Sequence, residues 1–147
     1  MSAPGKGKEL KIIERKVITL DDVKKSKRMI IVLHIIKHLG EVSEKGLTRL
    51  IYEMKEKGVD IGYPVVKIGK VVGSKDLHQD LLDLLYLDLI EKVPNKNKLR
   101  ITYNGDEFLQ KYGLPESEIK PILELVDQLK PTIEAIEAEV EMKRRRP

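Results

Sequence analysis

Residues Ser74 to Phe108 read SKDLHQDLLDLLYLDLIEKVPNKNKLRITYNGDEF. Ser74 is a good helix N-cap, and Leu77, Leu81, Leu84, Leu85 and Leu89 follow at helical spacing to give one apolar face about four turns long. Leu89 to Val93 then alternates as a strand does, Pro94-Asn95-Lys96-Asn97 is turn chemistry, and Lys98 to Tyr103 alternates polar with apolar along a partner strand. The expected product is a helix feeding a two-stranded hairpin, with Lys96 at its tip and Lys98 and Arg100 along one side.

Helix, strand, basic turn, strand and a new helix start, in that order, describe a winged helix-turn-helix. Upstream, Asp21 or Asp22 is expected to cap a first helix running to Leu39 and stopped by Gly40. Its main face is Met29, Val32, Leu33, Ile36 and Leu39, while Ile30, Ile31 and Ile35 point elsewhere, so this helix should be buried on more than one side. Ser43 caps a second helix with Leu47, Leu50, Ile51 and Met54 inward and Gly58 as its stop. The connection from Gly58 to Ser74 is too rich in Gly and β-branched residues for a helix and far longer than a three- or four-residue turn. An extra strand or a packed loop is expected there. After the hairpin, Asn104 is expected to cap a short helix over 106–112.

In the last segment Ile119, Ile122, Val126, Leu129, Ile133, Ile136 and Val140 recur at alternating steps of three and four, a heptad seam. Dimerisation through this seam is the expectation, with packing across the first helix as the alternative; Pro131 should kink or split the helix. The fold class is therefore mainly α with a small β-hairpin (α+β), a winged helix-turn-helix plus a C-terminal coiled-coil-like helix. Three regions follow: a basic arm and strap over 1–20, the winged-helix domain over 21–113, and the dimerisation helix with its basic tail over 114–147.

The 147 residues are 41% apolar, enough for one compact core with an extension. Cysteine is absent, which removes disulfides and thiolate metal sites. No apolar run approaches the roughly 20 residues that span a bilayer, and the polar N-terminus does not resemble a signal peptide, so a cytoplasmic protein without a membrane is expected. The high Lys and Glu content is compatible with a hyperthermophile. Charge is unevenly placed within the net +4: residues 1–102 carry +7, residues 103–142 carry −7, and Lys143 to Arg146 add +4.

The run Leu99-Arg100-Ile101-Thr102-Tyr103-Asn104-Gly105-Asp106-Glu107-Phe108-Leu109 resembles the end of the wing in bacterial and archaeal winged-helix regulators, where Leu-Thr-x-x-Gly-x-x-Phe/Leu-Leu is typical. Leu84, Leu85, Leu89 and Ile90 sit where those families place a Leu-x-x-x-x-Leu-Ile-Glu helix end. The resemblance covers about 26–113 and, with the C-terminal helix, is to small archaeal transcriptional regulators of the PadR/MarR-like kind. It implies a third helix in the major groove and a wing on the backbone or minor groove of double-stranded DNA, in a nucleoid-associated homodimer.

The residues qualify that implication. With Leu77, Leu81 and Leu84 inward, the third helix should show Lys75, Asp76, Gln79, Asp80, Asp83 and Tyr86 outward, a poor surface for phosphates. Only its first turn, Lys75, His78 and Gln79, suits base edges or backbone. The stronger basic surface is Lys67 and Lys70 in the long connection, Lys92, Lys96, Lys98 and Arg100 on the wing, and Lys24, Lys25, Lys27 and Arg28 at the start of the first helix. Phosphate-dominated binding with modest sequence preference is expected. The rival expectation is a non-catalytic winged-helix protein-interaction subunit of a transcription, chromatin or translation assembly.

No enzyme, cofactor or metal site is expected. Gly69 to Lys75 has three residues where a phosphate-binding loop needs four between its glycines, and reads Ser-Lys rather than Lys-Ser. His34 and His38 stand at i, i+4 without a third ligand and read as a surface pair. Asp80, Asp83, Asp88 and Glu91 have no convergent nucleophile.

Overall fold

The computed structural model describes residues 17–145; residues 1–16 of the basic arm and strap expected over 1–20 lie outside them. Among the described residues, six helices and two small antiparallel hairpins make a mainly helical α+β fold: α1 (Leu20–Lys24), α2 (Lys27–Leu39), α3 (Glu44–Glu56), β1 (Val66–Ile68), β2 (Val71–Gly73), α4 (Lys75–Tyr86), β3 (Ile90–Lys92), β4 (Leu99–Ile101), α5 (Tyr103–Tyr112) and α6 (Glu116–Arg145). Among the described residues no helix is long and apolar enough to cross a membrane.

The first expected helix is two. Thr19 starts α1 with a capping box, its hydroxyl accepting from the Asp22 N–H while the Asp22 carboxylate accepts from the Thr19 N–H. Ser26, in extended backbone, then caps α2 by accepting from Met29 N–H. A second cap two residues after Lys24 outcompetes helix continuation, because its hydroxyl satisfies a donor that α2 cannot. As its all-round apolar sequence requires, α2 buries Met29, Ile30, Ile31, Val32, Leu33, Ile35 and Ile36 and is the centre of the core. Helix α3 begins at Ser43 and buries Leu47, Leu50, Ile51 and Met54, the face expected of it.

The expected helix-then-hairpin stretch is present. Ser74 caps α4 by accepting from Leu77 N–H. Asp88, with φ +61, ends it in a Schellman arrangement: Leu89 N–H reaches Leu84 O and Asp88 N–H reaches Leu85 O. Thr102 Oγ1 and Asn104 Nδ2 both donate to Asp88, holding this left-handed corner under the start of α5. Strands β3 and β4 pair with Ile90 opposite Ile101 and Lys92 opposite Leu99. Val42, between α2 and α3, adds a single bridge to Leu99, its N–H and C=O both bonded there at 3.0 and 2.7 Å. Thr102, not Asn104, caps α5, which therefore starts at Tyr103. Gly105 is obligatory in that first turn, since a Cβ there would collide with Leu89 O and Ile101 Cγ1.

The long connection forms an isolated hairpin, β1 with β2, turned at Gly69 (φ +63) and Lys70. Lys67 and Val72 face α3, whereas Val66, Ile68 and Val71 share the opposite face and are 60%, 74% and 66% exposed.

The C-terminal seam needs correcting. Helix α6 runs unbroken from Glu116 through Pro121 and Pro131, so Pro131 does not split it. Ile119, Val126, Leu129 and Ile133, expected at a dimer interface, are buried within the chain, where α6 packs chiefly on α3 and also on α2. Ile122, Ile136 and Val140 are half-buried. The stripe is covered by the chain's own helices, chiefly α3 and in part the all-round apolar α2, whose exposed faces it in turn buries.

Half-buried His34 secures that packing. Its Nε2 accepts from Leu114 N–H at 3.1 Å, at the corner between α5 and α6, so it is not the surface residue its spacing suggested. Burial first, and then the charge of Lys37, hold its pKa below the ordinary imidazole value. A folded-state pKa that is depressed for a base means the neutral form is favoured by folding. This contribution is complete at neutral pH and is lost as pH falls below about 6.5. Melting temperature measured from pH 7.5 down to 5 should fall more steeply in the native chain than in His34→Gln, which keeps an acceptor and does not titrate; parallel curves would contradict the assignment.

Candidate nucleic-acid interface

Helix α4 and the β3–β4 hairpin enclose a groove of about 260 Å³, with Leu81, Leu82, Leu85 and Leu99 at its floor and His78, Lys92, Lys96, Asn97 and Lys98 among its rim. Strand β2 runs through Ser74 directly into α4, which sets the β1–β2 hairpin at the opposite end of the same helix. The first turn of α4 thus follows the β1–β2 hairpin directly, and His78 beside it shares the groove with Lys92, Lys96 and Lys98 of the other hairpin.

Most of the expected DNA-contacting cations already face a carboxylate. Lys96 Nζ meets Glu41 at 3.1 Å, Arg100 Nε meets Glu91 at 2.6 Å across the strands, and Lys27 Nζ meets Glu118 at 2.8 Å. Lys98, its side chain 19% exposed, stands 3.8 Å from Glu137. His78 Nδ1 is 2.8 Å from Glu44, and Gln79 donates to Asp83 at 3.1 Å. Lys67 lies over the Tyr52 ring at 5.4 Å. Among the described residues Lys70, Lys75 and Lys92 are exposed without a side-chain partner. Exposed pairs such as Lys96–Glu41 are each worth only about 0–1 kcal/mol, so an arriving phosphate can take these cations over.

One assignment from sequence is overturned. Asp80 does not face outward: it is 7% exposed and accepts from Arg28 Nε at 2.9 Å, Arg28 Nη2 at 3.4 Å and Tyr63 OH at 2.7 Å. Arg28, expected among the phosphate-facing cations, is engaged inside the fold, since it also donates to Gly62 O and stacks 4.5 Å from the Tyr63 ring centre. Burial opposes its charge and Asp80 more than offsets this, so the guanidinium is held above its ordinary value. Burial and then Asp80 push the Tyr63 phenol far up, keeping it a donor. The helical period itself carried the signal for Asp80: positions 77, 80, 81 and 84 are one face.

The two histidines read as a surface pair serve separate contacts, His34 with Leu114 and His38 Nε2 with Asp127 Oδ1 at 2.8 Å. Glu137, overlooked in the sequence, sits at the start of α3 and accepts from Ser43 N–H at 2.7 Å and Ser43 Oγ at 2.9 Å. No protein-family model, curated protein or solved structure matches the chain.

Proposed function

We propose that this chain is a winged-helix protein that binds double-stranded DNA, with the first turn of α4 at a groove and lysines of both hairpins on the flanking phosphates. The order α2, Val42 bridge, α3, α4, β3, β4 supports the winged-helix reading. The observation carrying the binding reading is that three of the chain's exposed, unpaired lysines, Lys70, Lys75 and Lys92, fall on the β1–β2 turn, the start of α4 and β3. Cations displacing condensed counterions supply most of the affinity for duplex, and these three are unneutralised. Transcription regulation and nucleoid association follow as roles such binding would serve. The reading does not carry over the seam-borne homodimer, whose central residues are core.

Lys75→Glu with Lys92→Glu should weaken binding of a fluorescent 20-base-pair duplex by at least tenfold at low salt and flatten the dependence of log K on log salt by about 1.8, two phosphate contacts. Lys96→Glu, which already has Glu41, should do less. Unchanged affinity in the double variant would remove α4 and the wing from the mechanism. A protein-docking role is the second reading, favoured by exposed Leu82 and Tyr86 beside Asp76 and Asp83 on α4; stoichiometric capture of one partner with no duplex binding would select it.

A further inference from the structure

The β1–β2 hairpin turns its apolar side away from the protein. Val66, Ile68 and Val71 share one face with Gly73, and all three side chains are exposed, whereas β-branched residues in a strand ordinarily cover a core. The base of the hairpin is held at both ends. Upstream, Tyr63 OH donates to Asp80 and Arg28 Nη1 donates to Gly62 O; downstream, Ser74 caps α4. Val72 is half-buried toward α3, and Lys67 lies over the Tyr52 ring. The tip, Ile68 to Val71, is exposed throughout.

Charge decides among the occupants such a face could take. Behind the tip, Lys45, Arg49 and Lys70 line a cavity of about 240 Å³, with Glu139 the one carboxylate among its lining residues. Arg49 is paired with Glu53, but Lys45 and Lys70 have no side-chain partner among the described residues. A second copy would bring the same lysines to the contact and repel; a nucleic acid brings the opposite charge. The chain also places the tip within reach of the duplex. Backbone from Val71 through Ser74 is extended and leads directly into α4. At about 3.3 Å per residue, Val71 stands roughly 13 Å before Lys75. Neighbouring grooves of a duplex lie about 17 Å apart, half of a roughly 34 Å helical turn, and the side chains supply the difference. Apolar side chains set between bases, with cations on the flanking phosphates, are how minor-groove proteins open a base step. We propose that the hairpin tip is a wedge for the minor groove of double-stranded DNA: Ile68 and Val71 press into a base step beside the groove that α4 enters, Lys70 holds the adjoining phosphate, and the duplex bends. The wedge rests on the duplex-binding reading above.

The test uses the full chain and a duplex of about 25 base pairs with a central TA step, dyes at its ends to report bending, and 2-aminopurine at the step to report unstacking. The native chain should bend this duplex by at least about 20° and raise the 2-aminopurine signal. It should prefer this duplex to one with a central GG step by roughly fivefold, because TA steps are easily unstacked. Ile68→Thr with Val71→Thr keeps β-branched residues in both strands and should melt within about 2 °C of native. That variant should lose the bend, the signal and the step preference. Its binding should be roughly tenfold weaker with an unchanged salt slope, since no phosphate contact is removed. Lys70→Ala should do the reverse, keeping the bend while its salt slope becomes shallower by about 0.9. A native chain that binds duplex without bending or unstacking it overturns the wedge and leaves the duplex reading standing, as does a threonine variant that bends it as fully as native. If no form binds duplex at low salt, wedge and reading fall together. A native dimer that the threonine variant dissociates, seen by sedimentation, gives this face to a second copy and overturns the wedge.

Discussion

Asp80→Ala is expected to lower stability by about 3 kcal/mol, roughly 10 °C in melting temperature. One carboxylate accepts from three donors here, two on Arg28 and one on Tyr63. Truncation strands a buried phenol, and it leaves a guanidinium packed on the Tyr63 ring with only Gly62 O and the more distant Asp76, at 3.8 Å, as partners. Removing one member of such a set costs more than the set contributes, because the desolvated partners stay behind. Asp80→Asn separates the two losses: it retains an acceptor for Tyr63 OH and removes the charge facing Arg28, so it should fall between native and alanine. Thermal unfolding followed by circular dichroism decides the matter, and a change under 2 °C for Asp80→Ala would show that the network is incidental. A functional consequence accompanies the structural one. The network ties the 62–63 loop, which leads into the β1–β2 hairpin, to α2 and α4 together, so its loss should also blunt duplex affinity through Lys67 and Lys70.

The same network marks where sequence reading succeeds and where it stops. Helix α4 and the hairpin after it were legible because a leucine period of three and four, a Ser cap and a Pro-Asn turn each carry their own local physics. Asp80 was misread because its charge was given more weight than its position on the Leu77–Leu84 face; the compensating residues, Arg28 and Tyr63, lie 52 and 17 positions away. Charge pairing is likewise invisible to a count. Lys27 with Glu118 and Lys96 with Glu41 are 91 and 55 residues apart, so the sum of basic residues could be read while their neutralisation could not. In the connection, β-branched density announced extended structure, but the pairing of Val66 with Gly73 depends on a turn at Gly69 and Lys70 that no strong dipeptide signals. For the heptad stripe, spacing says that an apolar face needs a cover and is silent on which helix provides it.

Val126→Asp addresses that last point and should have the largest effect of all. Val126 is 0% exposed, between Ile119 and Leu129, Ile133 on the same stripe, where α6 meets α3 and α2. A carboxylate placed there has no donor to receive it and must either stay ionised in an apolar contact or take up a proton, and the deleted methyls leave unfilled volume as well. The combined cost is at least about 4 kcal/mol, comparable with the whole stability of many domains of this size, so the cooperative unfolding transition should be lost or moved below 40 °C. Val140→Asp, half-exposed on the same stripe two turns from Ile133, should remain within about 1 kcal/mol of native. The contrast discriminates because a seam that served only to join two copies would give the reverse for Val126→Asp: a folded protein of unchanged secondary structure whose sedimentation drops from dimer to monomer. Unfolding in Val126→Asp with tolerance in Val140→Asp instead means that the stripe is spent within the chain, and that any second copy must use another face, such as the exposed Val66, Ile68 and Val71 that share one side of the β1–β2 hairpin.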